Sequence, residues 1–165
     1  MDELFDLTGK VALVTGGSRG LGLQMVRAFS QRGADVVISS RKLDACEAAA
    51  EEMRRLGRRA LAISANASRW DDVDRLAAAA YQAFGRIDIL VNNAGMSPAI
   101  PSHEVTEAMF DKIVSLNFKG PFSGSLLKLQ SAWPTATEGR SSMYRRAVRC
   151  ILCRPSCPIP GLRPL

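Results

Sequence analysis

The stretch Lys10-Val-Ala-Leu-Val-Thr15-Gly16-Gly17-Ser18-Arg19-Gly20-Leu21-Gly22 constrains this chain more than any other. An apolar β-type run, Val11 to Val14, breaks abruptly into glycines, and an amphipathic helical pattern follows from Leu21 to Phe29. Glycine serves such a turn twice: it reaches positive φ without penalty, and without a Cβ it lets another group come close. The helix that follows presents free N–H groups and the positive end of its dipole to the turn. Strand, glycine turn and helix N-terminus in that order form a cradle for phosphate. The spacing, Gly16-x-x-x-Gly20-x-Gly22, differs from G-x-G-x-x-G, and no Gly-Lys-Ser/Thr closes it as a P-loop would. A tight turn without a ligand is the alternative, and the later motifs decide between them.

The 165 residues suffice for one domain with a core. No apolar run approaches the ~20 residues of a membrane span. The acidic start, Met1-Asp2-Glu3-Leu4-Phe5-Asp6, is unlike a secretory signal, so the sequence reads as cytoplasmic and without a membrane partner. The net charge of +6 suggests a polyanion partner, but its distribution argues against one. Residues 1–120 carry fifteen Lys/Arg and fifteen Asp/Glu, whereas residues 121–165 carry seven basic residues and one acidic. The basicity therefore belongs to the tail, whose arginines are not interleaved with stacking aromatics, and no nucleic-acid partner is expected.

Taken in order, Lys10–Thr15 reads as strand β1 and Gly20–Arg32 as helix α1. Leu21, Met25, Val26 and Phe29 are spaced for its buried face, and Gly33 stops it. Ala34–Ser39 reads as β2, a run suited to burial on both faces. Leu43–Leu56 is an alanine-rich α2 closed by Gly57. Arg59–Ser64 is β3. Trp70–Phe84 is α3, with Ser68 as its expected N-cap and Gly85 past its end. Ile87–Asn92 is β4, and Thr106 to about Phe118 is α4, capped by Thr106. Strands alternating with helices through short connections predict parallel strands and right-handed crossovers, an α/β doubly wound sheet. Ligands of such sheets bind beyond the carboxyl ends of the strands. The glycine turn and the ends of β2, β3 and β4 should share that rim.

At the end of β2 stand Ser39, Ser40 and Arg41, with no acid before Asp44. A carboxylate there would accept from the hydroxyls of an adenosine ribose; hydroxyls and a guanidinium suit a 2′-phosphate instead, and Arg19 in the turn points the same way. At the end of β4 stands Asn92-Asn93-Ala94-Gly95. With Thr15-Gly-x-x-x-Gly-x-Gly22 and this second motif in register, the chain resembles the short-chain dehydrogenase/reductase family over about residues 5–122. The resemblance implies a Rossmann-like three-layer αβα sandwich and hydride transfer between NADP(H), rather than NAD(H), and a carbonyl or secondary alcohol. It implies a cofactor-binding set of Thr15, Gly16, Ser18, Arg19, Gly20, Leu21, Gly22, Ser39, Ser40, Arg41, Asn66, Asn92, Ala94 and Gly95. Asn66 stands where the family usually has an Asp that accepts from the adenine amino group; its amide oxygen is expected to accept in its place. Asn117 matches the helical Asn of the family's catalytic set, which shapes its helix and holds a water; bonding its own helix backbone is the alternative.

The family's other catalytic residues have no match. Its acid/base tyrosine and lysine come as Tyr-x-x-x-Lys, but Tyr81 is followed four residues later by Gly85 and Tyr144 by Val148, and no lysine follows Lys128. Without that lysine a tyrosine keeps its ordinary pKa of about 10 and shuttles protons poorly at neutral pH. The orienting serine belongs to the family's second half, beyond where the likeness ends. Past Phe122 charge, proline and cysteine content all shift together. This marks residues 123–165 as an irregular basic tail of displaced or out-of-frame sequence, and the chain as a truncated member after β4 and α4. Cys150-x-x-Cys153-x-x-x-Cys157 lacks a fourth thiolate, so no metal site is expected. Whole relatives form homo-oligomers; a non-catalytic cofactor-binding module or an unstable fragment are the alternatives for this chain.

Overall fold

The computed structural model of the chain describes residues 5–122. The apolar runs become four parallel strands, β1 Val11–Thr15, β2 Asp35–Ser40, β3 Ala60–Ser64 and β4 Ile89–Asn92, in the order β3-β2-β1-β4. The register pairs Leu13 with Val37 on one side and with Leu90 on the other. The chain reverses direction across the sheet at β1, which puts a crevice between β1 and β4 at their carboxyl ends.

Side chains alternate between the faces, as a period of two requires. Ala12, Val14, Val36 and Ile38 pack under α1 (Gly20–Gln31) and α2 (Leu43–Arg55) with Val26, Cys46, Ala50 and Met53. Val11, Leu13 and Val37 meet Leu76 and Ala80 of α3 (Trp70–Phe84) on the other face. A bidentate ion pair joins the first two helices: Arg27 Nε and Nη2 donate to the Glu52 carboxylate at 2.7 and 2.9 Å. Gly33, Gly57 and Gly85 end the three helices with φ of 95°, 78° and 72°, a backbone region that any other L residue enters at a cost.

Three local expectations are corrected. Leu21 is 67% exposed, because the stripe of α1 against the sheet runs through Gly22, Val26 and Ser30 and leaves Leu21 beside it. Ser68 does not cap α3. Arg69 takes the N-cap position without a side-chain bond, Ser68 Oγ donates to Asn66 Oδ1, and Asp72 reaches back instead, accepting from the Asn66 N–H at 2.8 Å. The fourth helix is shorter than its pattern: α4 spans Glu107–Val114, with Thr106 Oγ1 accepting from Met109 N, and a π turn, Ser115–Lys119, leads into a short α5, Gly120–Phe122. Among the described residues β4 pairs on one side only, and no helix is long and apolar enough to cross a membrane.

The bond from Asn66, with Arg75 alongside, holds the Asp72 carboxyl below the ordinary carboxylate range. Its stabilisation is therefore present above the unfolded pKa of about 3.9 and lost as pH falls through the lower folded value. Asp72→Ala should cost about 1.5–3 kcal/mol at pH 7, the scale of a hydrogen bond to a charged group. Urea melts at pH 7 and pH 3 check this: the gap between wild type and variant should shrink at the lower pH.

Candidate functional site

The glycine turn is built by β1 and locked by β4. Thr15 Oγ1 donates to the Val91 carbonyl at 3.2 Å and accepts from the N–H groups of Asn93 and Ala94, both at 3.1 Å. Asn93 Nδ2 donates to the carbonyls of Thr15 at 3.0 Å and Gly16 at 3.2 Å. The turn thus hangs from the strand across the crevice. Gly16 has φ of 67°, and a Cβ there would meet Asn93 Nδ2 at 2.9 Å; a Cβ on Gly22 would collide with the Gly16 carbonyl and with Asn93 Nδ2 at 2.5 Å. Gly20, with φ of 56°, has open space where a Cβ would stand. Gly17 packs inward, its N–H donating to the Ser39 carbonyl at 3.1 Å.

The N-terminus of α1 is left open toward this turn. Arg19, its N-cap residue, makes no side-chain cap bond, and the first turn carries no acidic residue. The next three helices differ: Asp44 stands in the first turn of α2, Asp71 and Asp72 in that of α3, and Glu107 in that of α4. The positive end of the α1 dipole therefore has no carboxylate of its own to neutralise it. Leu21 and Arg19 are exposed beside it.

Beside the turn lies the end of β2. Ser18 Oγ donates to Ser40 Oγ at 2.9 Å, tying turn to strand. Ser39 is buried; Ser40 is partly exposed; Arg41 is exposed. The guanidinium groups of Arg19 and Arg41 have no partner among the described residues, so both remain available to an anion. Along the same rim, Thr15, Ser39, Ala67, Asn92 and Ala94 line an open cleft together with Leu13, Leu76 and Leu90.

Asn66 and Asn117 each bond within the described fold. Asn66 Oδ1 accepts from the N–H of Ser68 at 3.1 Å and from its hydroxyl at 2.9 Å, an Asx turn. Asn117, within the π turn, bonds the segment after β4 rather than its own helix: Oδ1 accepts from Met96 N at 2.9 Å and Nδ2 donates to Met96 O at 2.7 Å. It thereby fixes the segment after β4, where a Cβ on Gly95 would come within 3.3 Å of Asn117 Oδ1. Sequence reasoning missed Asn93, although it lies inside the quoted motif, because its partners are 77 and 78 residues away.

Among the described residues no group of three or more His, Cys, Asp or Glu side chains is placed to hold a metal. Tyr81 lies late in α3, away from the rim, and burial, with Asp88 nearby, pushes its hydroxyl above the ordinary tyrosine value. Lys128, Tyr144 and the cysteines at 150, 153 and 157 lie outside the described residues.

The family model described as short chain dehydrogenase matches residues 10–140. An uncharacterized oxidoreductase of Mycobacterium bovis is 38% identical over 123 residues, covering 73% of this chain and 49% of the relative. The hydroxynaphthalene reductase-like protein Arp2 of Metarhizium acridum is 38% identical over 117 residues, 70% of this chain and 44% of the relative. Among solved structures, a blue fluorescent protein from a metagenomic library, in complex with NADPH, superposes with TM-score 0.72 at 36% identity, covering 76% of this chain and 52% of that one. A short-chain type dehydrogenase/reductase from Mycobacterium marinum does so with TM-score 0.72 at 33% identity, covering 79% and 50%. The chain spans about half the length of the relatives it matches.

Asn93→Ala should release the glycine turn. Two buried-side hydrogen bonds are lost and two carbonyls left open, so stability should fall by about 1–3 kcal/mol. Amide exchange at Gly16 and Gly17 should quicken by more than exchange in α2. Equal changes in both would show that Asn93 does not hold the turn.

Proposed function

The chain belongs to the short-chain dehydrogenase family, and from that premise we propose that its rim binds NADP(H) in preference to NAD(H). The observation that carries the reading is the pairing of an uncapped, acid-free α1 N-terminus with two unpartnered guanidinium groups, Arg19 and Arg41, on one edge. The residues present fit such a dinucleotide. The N–H groups of Gly20, Leu21 and Gly22 would donate to the pyrophosphate, and the lack of a Cβ at Gly16 and Gly22 keeps the turn in the shape that offers them. Arg19, Arg41 and the hydroxyls of Ser18 and Ser40 would hold the 2′-phosphate, with Ser39 behind them. Ala94, Gly95 and Asn92 would border the nucleoside, and Asn66, its oxygen already engaged, would offer its amide N–H groups rather than an acceptor.

When bound, the nicotinamide ring supplies or accepts a hydride. By family, the partner is a small-molecule carbonyl or secondary alcohol. Thr15 and Asn93 act by positioning, and so does Asn117, which holds the backbone of Met96 at the nicotinamide end of the rim. None of them is an acid/base at neutral pH. The one described tyrosine, Tyr81, is remote, with a raised pKa. A second reading therefore gains support from the same chain: cofactor held, nothing turned over. A cytoplasmic location and association with further copies are proposed on the family's behaviour alone.

Fluorescence titration of the full chain should give NADPH at least about tenfold tighter than NADH, one charged contact's worth. Arg41→Ala should remove most of that preference, and Ser40→Asp should invert it by repelling the phosphate while accepting from the ribose hydroxyls. NADPH oxidation with a ketone panel should stay at the no-enzyme rate. Equal affinity for the two dinucleotides would refute the cofactor assignment, and steady turnover would refute the missing acid/base.

A further inference from the structure

One contact at the 2′-phosphate corner has no part in the reading above. Cys46, in the first turn of α2, is fully buried, and its Sγ lies 3.1 Å from Oγ of Ser40. That same hydroxyl is met by Ser18 Oγ at 2.9 Å, the Lys42 carbonyl at 3.2 Å and the Lys42 N–H at 3.3 Å. The Lys42 carbonyl also takes the Cys46 N–H at 3.2 Å, so thiol and hydroxyl are anchored on one peptide. A hydroxyl has one proton and two lone pairs. With its proton on Lys42 O, Ser40 accepts from Ser18 on the outer side, and the Lys42 N–H at 3.3 Å and the thiol within the core share its other lone pair.

A serine hydroxyl has three staggered wells, and an exposed one samples them. Here the thiol, fully buried in one cluster with Val36, Ile38, Ala50 and Met53, adds to the bonds from Ser18 and Lys42 a contact on Ser40 from a residue that solvent does not reach. Resting on the NADP(H) reading, we propose that Cys46 is a positioning residue for nucleotide choice: by fixing Ser40 against Ser18, it presents two hydroxyls between Arg19 and Arg41 as a ready-made receptor for a 2′-phosphate. A nucleotide with a free 2′-hydroxyl has little use for this arrangement. The chain of contacts runs from α2 through β2 to the glycine turn, so a core residue with no exposure sets the preference of a surface site.

The test compares NADPH and NADH titrations of the full chain for wild type, Cys46→Ala and Cys46→Ser, each with a thermal melt. Cys46→Ala should weaken NADPH by about three- to tenfold, the scale of one neutral hydrogen bond, and leave NADH unchanged. Cys46→Ser, which keeps a donor beneath Ser40, should recover most of the loss even if its melting temperature falls. A parallel loss of both nucleotides in Cys46→Ala, an unchanged ratio, or no recovery in Cys46→Ser would each overturn the proposal while leaving the cofactor reading standing. A wild-type ratio near one would overturn both, and the wild-type titration alone identifies that case.

Discussion

The structure depends on one cross-strand clamp. The glycine turn has no side chains with which to hold its own shape, and the N–H groups it offers would be of little use if it fluctuated. Thr15 and Asn93 supply what it lacks. A hydroxyl and a carboxamide bind five backbone groups between β1 and β4, where the strand order reverses. Their bonds are shielded by the fold, so they resist competition from water better than surface contacts do. The requirement for glycine at Gly16 and Gly22 follows from the clamp, since a Cβ at either would meet the Asn93 amide.

Much of this was legible in the sequence. Element order and type come directly from the apolar runs and from glycines at the helix ends, and each of Gly33, Gly57 and Gly85 takes the positive φ that its position suggests. What escaped was set by contacts between distant segments. Leu21 has the spacing of a core residue, but the helix phase is fixed by the contact of Gly22 with the turn. Ser68 has the chemistry of a cap, yet its hydroxyl turns back to Asn66 Oδ1 and the N-cap position falls to Arg69. Asn93 resembles its neighbour Asn92 in the sequence and differs from it only by which side of the turn it faces. The oxygen of Asn66 is used locally, which no motif reveals.

Electrostatics at the rim follow the same division between local and assembled effects. Most helices here begin with an acid of their own and so are locally neutralised. At α1 the sequence omits that acid and places arginine at the cap, which leaves the dipole and the guanidinium acting in one direction. Arg41 arrives from a different strand and adds to them. The opposite pattern holds between α1 and α2, where Arg27 and Glu52 satisfy each other and contribute to cohesion.

The π turn at Ser115–Lys119 carries a consequence for what lies after it. An α-helix advances about 100° per residue, and a π turn adds one residue to a cycle. Everything beyond it is therefore rotated by nearly a third of a revolution from where an unbroken spiral would aim it. Gly120 ends up against the Ala67 carbonyl, so close that no methyl group could intervene, and Phe118 and Phe122 stack with centroids 6.3 Å apart on the outer side. Removing a single residue from the widened coil would turn the segment after it by that same angle and carry Gly120 away from the Ala67 carbonyl without altering any amino acid beyond the deletion.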